Sequence, residues 1–203
     1  MKKFFLSSIL VSFLACQNQV NSIGSKNNLA TEIKQENTFN SKPENENIIK
    51  PINDFKLLAS DFTDGGLYPK NYTCDGTSSS PSLSWVNPPS GTVAYAITMH
   101  HIPGPGDEHV YMVVYDIPSN INTFSSNEKN LGIWGINTVN RKNEYAPPCS
   151  KGPGPKVYTL TLYALSSKTT LKNTSNITKN ELIQDIKDKT LATSSINITY
   201  SRS

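Results

Sequence analysis

Val93-Ala-Tyr-Ala-Ile-Thr-Met-His-His101, Ile102-Pro-Gly-Pro-Gly-Asp-Glu108 and His109-Val-Tyr-Met-Val-Val-Tyr115 follow one another in the chain, and their reading decides the fold. The outer two segments are dense in β-branched and aromatic residues. Pro and Gly punctuate the middle one, so the whole reads as two buried strands joined through a turn-forming connection. A third run of the same kind, Val157-Tyr-Thr-Leu-Thr-Leu-Tyr-Ala-Leu165, follows Lys151-Gly-Pro-Gly-Pro155. Near the end, Thr178-Lys-Asn-Glu181 predicts a capped helix start, with Leu182, Ile183 and Ile186 on one face. Ile196, Ile198 and Tyr200 then alternate with polar residues, as in a half-buried strand. Residues 54–203 therefore read as one mainly β domain with a short C-terminal helix and long Pro/Gly-rich loops.

Upstream of that domain the composition changes twice. Met1-Lys2-Lys3 and the apolar run Phe4 to Ala15 have the basic start and short hydrophobic stretch of a secretory signal peptide over residues 1–15. Phe13-Leu-Ala-Cys16 resembles the lipobox of bacterial lipoproteins, which implies lipidation of Cys16 and a membrane-anchored lipoprotein of the cell envelope. Residues 16–53 are rich in Asn, Ser, Lys and Glu, with Phe39 as their one aromatic, and read as a disordered tether. No run approaches the length of a spanning helix.

The 203 residues, 36% hydrophobic and 17% charged, suffice for one domain and a tail. The formal charge of +3 falls to +1 once Lys2 and Lys3 leave with the leader. So neutral a chain, without a basic run, excludes dedicated nucleic-acid binding, and the only membrane attachment expected is the N-terminal lipid.

Gly65-Gly-Leu-Tyr-Pro69, Tyr72-Thr-Cys-Asp-Gly76, Ser80-Pro-Ser-Leu-Ser-Trp85, Pro88-Pro-Ser-Gly91, Val113-Val-Tyr-Asp-Ile-Pro118, Tyr145-Ala-Pro-Pro-Cys149 and Tyr158-Thr-Leu-Thr-Leu-Tyr-Ala-Leu165 occur in this order. Together they resemble the bacterial branch of the phosphatidylethanolamine-binding protein family, also called Raf-kinase-inhibitor-like proteins. The resemblance covers Phe55 to Tyr200. It implies a β-sandwich of mostly antiparallel strands with a small loop-built ligand pocket at one end, in a family of binding and regulatory proteins without a shared catalytic constellation. It also brings Cys74 and Cys149 to the pocket rim, and in an exported protein these two can form a disulfide; two buried free thiols are the alternative.

The family's pocket groups are replaced here. Tyr111 stands at its first His position, Lys156 at its second, and Met99-His-His-Ile-Pro103 corresponds to its Asp-Pro-Asp-Ala-Pro segment. The replacements suggest a set of their own. If the two strands pair across Ile102 to Glu108, His101 and His109 lie opposite one another, Tyr111 shares their face at period two, and His100 points the other way. With Tyr145 and Lys156 the expected ligand set is His101, His109, Tyr111, Tyr145 and Lys156. Imidazoles, phenols and an ammonium group suit a small polar or anionic ligand, phosphate or head-group like, through charge-assisted hydrogen bonds.

Other chemistries are weaker. The histidines beside Asp107 and Glu108 match no metal-ligand spacing, so no metal and no cofactor is expected. A nucleophile would have to be Cys149, and no Gly-x-Ser-x-Gly elbow occurs. The expectation is a protein that is not an enzyme. The alternatives are a hydrolase using His101 or His109 as general base, and an interaction or inhibitor module meeting a protein partner through Ile102 to Glu108. Trp85 is expected in the core.

Overall fold

The computed structural model describes residues 54–172 and 176–202. The leader, Cys16 and the tether lie outside the described residues.

Two sheets face each other. The smaller has the order β1-β2-β5, with β1 Lys56–Ala59, β2 Leu83–Val86 and β5 Thr123–Phe124. The larger has the order β6-β4-β3-β7-β8, with β3 Ala94–Gly104, β4 Asp107–Pro118, β6 Ile133–Trp134, β7 Lys156–Leu165 and β8 Thr190–Tyr200. Every pairing between these strands is antiparallel. The mainly β sandwich implied by the sequence is the observed architecture, and among the described residues the one α-helix is α1, Lys179–Ile186.

The central strands are buried on both faces, which explains why they read as near-continuous apolar runs. One face of the large sheet, through Ile97, Met99, Leu160 and Leu162, packs on Leu57, Leu83, Trp85 and Phe124 of the small sheet. Trp85 is 1% exposed and meets Tyr95 edge-on at 5.0 Å. The other face, through Ala96, Val113 and Tyr115, receives Leu182 and Ile186 of α1.

That helix starts where its capping box places it. The Thr178 hydroxyl accepts from the Glu181 N–H at 3.2 Å, and the Glu181 carboxylate accepts from the Thr178 N–H at 2.8 Å, so two otherwise orphaned donors are satisfied reciprocally.

Two elements differ from the sequence reading. The connection expected over Ile102–Glu108 is a tight hairpin, since β3 runs to Gly104 and β4 begins at Asp107. Pro105 and Gly106 alone turn the chain. Proline presets the first turn position, and Gly106 takes φ +93°, a conformation that a side chain would strain. The last strand is longer than Ile196–Tyr200, because β8 pairs with β7 from Thr190 onward. Its C-terminal half is covered by the stretch around Leu67, whose neighbours exchange backbone hydrogen bonds with Asn197 and Thr199. Among the described residues, no helix is long and apolar enough to cross a membrane.

Candidate functional site

The hairpin of β3 and β4 carries the site. His101 pairs with His109 across it, and their rings stack with centroids 6.4 Å apart. Between the pairs Met99–Met112 and His100–Val110 the ladder holds one extra residue on β4, Tyr111. This bulge lets Tyr111 and Met112, adjacent in sequence, both face the inter-sheet side, and it brings His109 and Tyr111 into phase with His101. Beside them on β7, Tyr158 lies 5.2 Å from the His101 ring and meets Tyr111 edge-on at 5.2 Å.

These side chains line a cavity of about 430 Å³, completed by Cys149, Ser150, Lys151 and Lys156. Lys156 is there because it opens β7 as the chain leaves the second Gly-Pro turn, opposite Tyr200. Cys149 is there because it is joined in a disulfide to Cys74, which pins the start of that turn. Its sulfur is thereby occupied and offers no nucleophile.

His101 is 9% exposed and its Nδ1 lies 2.7 Å from the Val157 carbonyl oxygen. A carbonyl only accepts, so the proton sits on Nδ1. Nε2 is then an acceptor in the neutral ring and a donor in the imidazolium, and it is buried without a partner among the described residues. The Ser150 hydroxyl is in the same condition. Burial pushes the Tyr111 and Tyr158 phenols above their usual range, so both act as neutral donors. Lys151 and Lys156 supply two ammonium groups, and no carboxylate lines the cavity among the described residues.

Four of the five expected ligand residues, His101, His109, Tyr111 and Lys156, thus meet in one cavity. Tyr145 does not join them. It lines a different cavity, its hydroxyl donates to the Tyr72 carbonyl and it pairs with the Tyr68 hydroxyl at 2.9 Å, so the phenol is committed to holding loops together. His100 faces the opposite side, as the alternation requires, with its Nε2 3.8 Å from Glu108. Glu108 in turn accepts from Lys179 of α1 at 2.5 Å, which anchors the hairpin to the helix. Desolvation by burial, then the charge of Lys179, hold the His100 imidazole below its usual value. Among the described residues, no three His, Cys, Asp or Glu side chains cluster as a metal site needs.

Ser150, Lys151 and Tyr158 were not among the residues expected at the cavity. Tyr158 sits two residues past Lys156, on the same strand face at period two, a signal that was available. Ser150 and Lys151 had none beyond their place next to Cys149.

The sequence profile of the family described as phosphatidylethanolamine-binding protein matches residues 59–201. A UPF0098 protein of Aquifex aeolicus is 34% identical over 117 residues, covering 55% of this chain and 68% of the relative. A UPF0098 protein of Chlamydia muridarum is 25% identical over 150 residues, covering 71% of this chain and 97% of the relative. Among solved structures, a phosphatidylethanolamine-binding protein homologue from Chlamydia trachomatis superposes with a TM-score of 0.68 at 22% identity, covering 74% of this chain and 99% of that one. YbcL of E. coli gives 0.67 at 21%, covering 73% and 99%. These two share the fold.

Proposed function

The chain belongs to the phosphatidylethanolamine-binding protein family, and on that premise we propose that it is an exported, lipid-anchored binding protein whose hairpin cavity holds a small anionic ligand, phosphate or head-group like. The observation that carries this reading is the lining itself. Two lysines, two histidines and two neutral phenols converge with no carboxylate among the described residues, a donor set that attracts and hydrogen-bonds an anion. The orphaned Nε2 of buried His101 adds a polar group whose partner the protein does not supply. The volume, about 430 Å³, fits a head group or a phosphate with its ester.

Export and anchoring rest on the leader and on Cys16 after it. So anchored, the protein would sample small molecules near the membrane surface.

Isothermal titration of the protein with inorganic phosphate and with phosphoethanolamine tests the pocket reading. Both should bind, and Lys156→Met should weaken them by roughly 10- to 100-fold, the equivalent of losing a hydrogen bond to a charged group. No heat with either ligand, or affinity indifferent to Lys156, removes the reading.

A further inference from the structure

A second cavity, of about 390 Å³, shares no lining residue with the first. Trp134, half-buried at the end of β6, and Tyr145 give it aromatic walls. Glu128, Lys129, Asn143 and Glu144 also line it.

Each planar polar group there is clamped at one edge. Glu128 Oε1 accepts from the backbone N–H groups of Lys129 at 2.9 Å and Asn130 at 2.8 Å. Glu144 Oε1 accepts from Asn140 Nδ2 at 2.9 Å. Asn143 Nδ2 donates to the Trp134 carbonyl at 2.9 Å. What is left over, among the described residues, is the second oxygen of each carboxylate, Oδ1 of Asn143 as an acceptor and Nζ of Lys129 as a donor. The Trp134 indole N–H is likewise without an acceptor.

The signs of these groups select the ligand. Glu128 and Glu144, the latter 4.0 Å from Lys142 Nζ, disfavour an anion, whereas the first cavity is lined by no carboxylate among the described residues. Lys129 disfavours an organic cation. An apolar ligand would strand the unused acceptors. A neutral molecule rich in hydroxyls meets every condition: each hydroxyl both donates and accepts, to a carboxylate on one side and from an ammonium or amide on the other, while a flat C–H face lies against an aromatic ring. We propose that this cavity is a carbohydrate site for a neutral pyranose. The clamped edges hold the polar groups in place before the sugar arrives, which lowers the entropy lost on binding. The site is independent of the anion pocket, and the two can be occupied together.

Saturation-transfer NMR of the full chain with glucose, galactose, N-acetylglucosamine and chitobiose tests it. At least one should show transfer, and Trp134 emission should change on titration while deeply buried Trp85 contributes a constant background. Glu144→Gln and Lys129→Met both alter exposed side chains; each should weaken the sugar by about fivefold or more, with Tm unchanged and with phosphate titrations unaffected. Lys156→Met should leave the sugar untouched. The proposal is overturned by absence of transfer from all four sugars, by transfer that survives both substitutions, or by sugar binding lost in Lys156→Met. Binding of guanidinium or quaternary ammonium compounds at this cavity in place of sugars would also overturn it.

Discussion

The backbone N–H of Cys74 donates to the carbonyl of Pro148 at 3.1 Å, so the bond from Cys74 to Cys149 is doubled by a hydrogen bond one residue away. The two links fasten the turn that carries Ser150 and Lys151 to the short helical turn around Lys70–Tyr72. Closing a loop of 75 residues contributes about 4 kcal/mol in the chain-entropy model. Replacing both cysteines by serine should therefore lower Tm by well over 5 °C and weaken phosphate binding, because the cavity wall loses its fastening. In a Cys16→Ser background, denatured unreduced protein should label with no maleimide and, after reduction, at two sites. Two reactive thiols before reduction would show that the bond does not form.

His101 should make anion binding depend on pH. With Nδ1 held by the Val157 carbonyl, Nε2 becomes a donor to an anion only when the ring is protonated. The groups around it are His109, Tyr111, Tyr158 and, at the mouth, Lys151 and Lys156, and of these side-chain types imidazole is the one suited to act as a proton switch. Sulfate keeps its double charge over this range and reports the protein alone. Its affinity should rise as pH falls from 8 to 5.5, and His101→Gln should flatten the rise. A steep profile that persists in His101→Gln would assign the effect to His109.

His100 should act on stability, with the opposite pH sense. Its folded value lies below the ordinary 6.5, through burial first and Lys179 second. The unfolded chain thus binds a proton at a higher pH than the folded chain does. Stability associated with this group is complete above about 6.5 and is lost as pH falls from there through the lower folded value. Chemical unfolding at pH 7.5 and pH 5 should give a smaller loss for His100→Gln than for the wild type. Equal losses would mean that the proton enters without cost, through the Glu108 contact.

If Cys16 is lipidated after export as proposed, Cys16→Ser should move the protein from the membrane fraction to the soluble fraction, since a diacylated cysteine anchors where a single chain would not. Incorporation of labelled palmitate should vanish with it. Wild-type protein that takes up no fatty acid and fractionates as soluble would remove the anchor.

The sequence revealed long strands far better than short ones. β3, β4 and β7 are buried on both faces, so their composition alone announces them. β1, β2, β5 and β6 span two to four residues each, too few for a period to register; the first three form the small sheet that packs on the large one, and β6 is held by its pairing with β4. The first half of β8, Thr190-Leu-Ala-Thr-Ser-Ser195, alternates half-buried and exposed residues at the edge of the sheet, and its small polar residues carry no strand signal. At the cavity, period-two reasoning placed His101, His109 and Tyr111 on one face. It could not foresee the bulge that keeps Tyr111 in phase, since a bulge is decided by how two strands meet. Tyr145 was misplaced for a related reason. A sequence string such as Tyr145-Ala-Pro-Pro-Cys149 carries no side-chain direction, and the Tyr145 phenol is drawn toward Tyr68 and the Tyr72 carbonyl.

The stretch around Leu67 along the last strand has a bearing on how copies of this chain behave together. A terminal edge strand with free N–H and C=O groups is an invitation to a neighbouring copy, and membrane tethering would raise the local concentration of such neighbours. Gly65, Gly66 and Tyr68 occupy the backbone groups of Asn197 and Thr199, and Asp64 accepts from the Asn197 N–H at 2.7 Å. The protein thereby blunts its own template for polymerisation next to the end of the sheet that holds the proposed anion cavity. The shield takes a few residues of backbone laid parallel to the strand they cover, with the Leu67 side chain left 79% exposed.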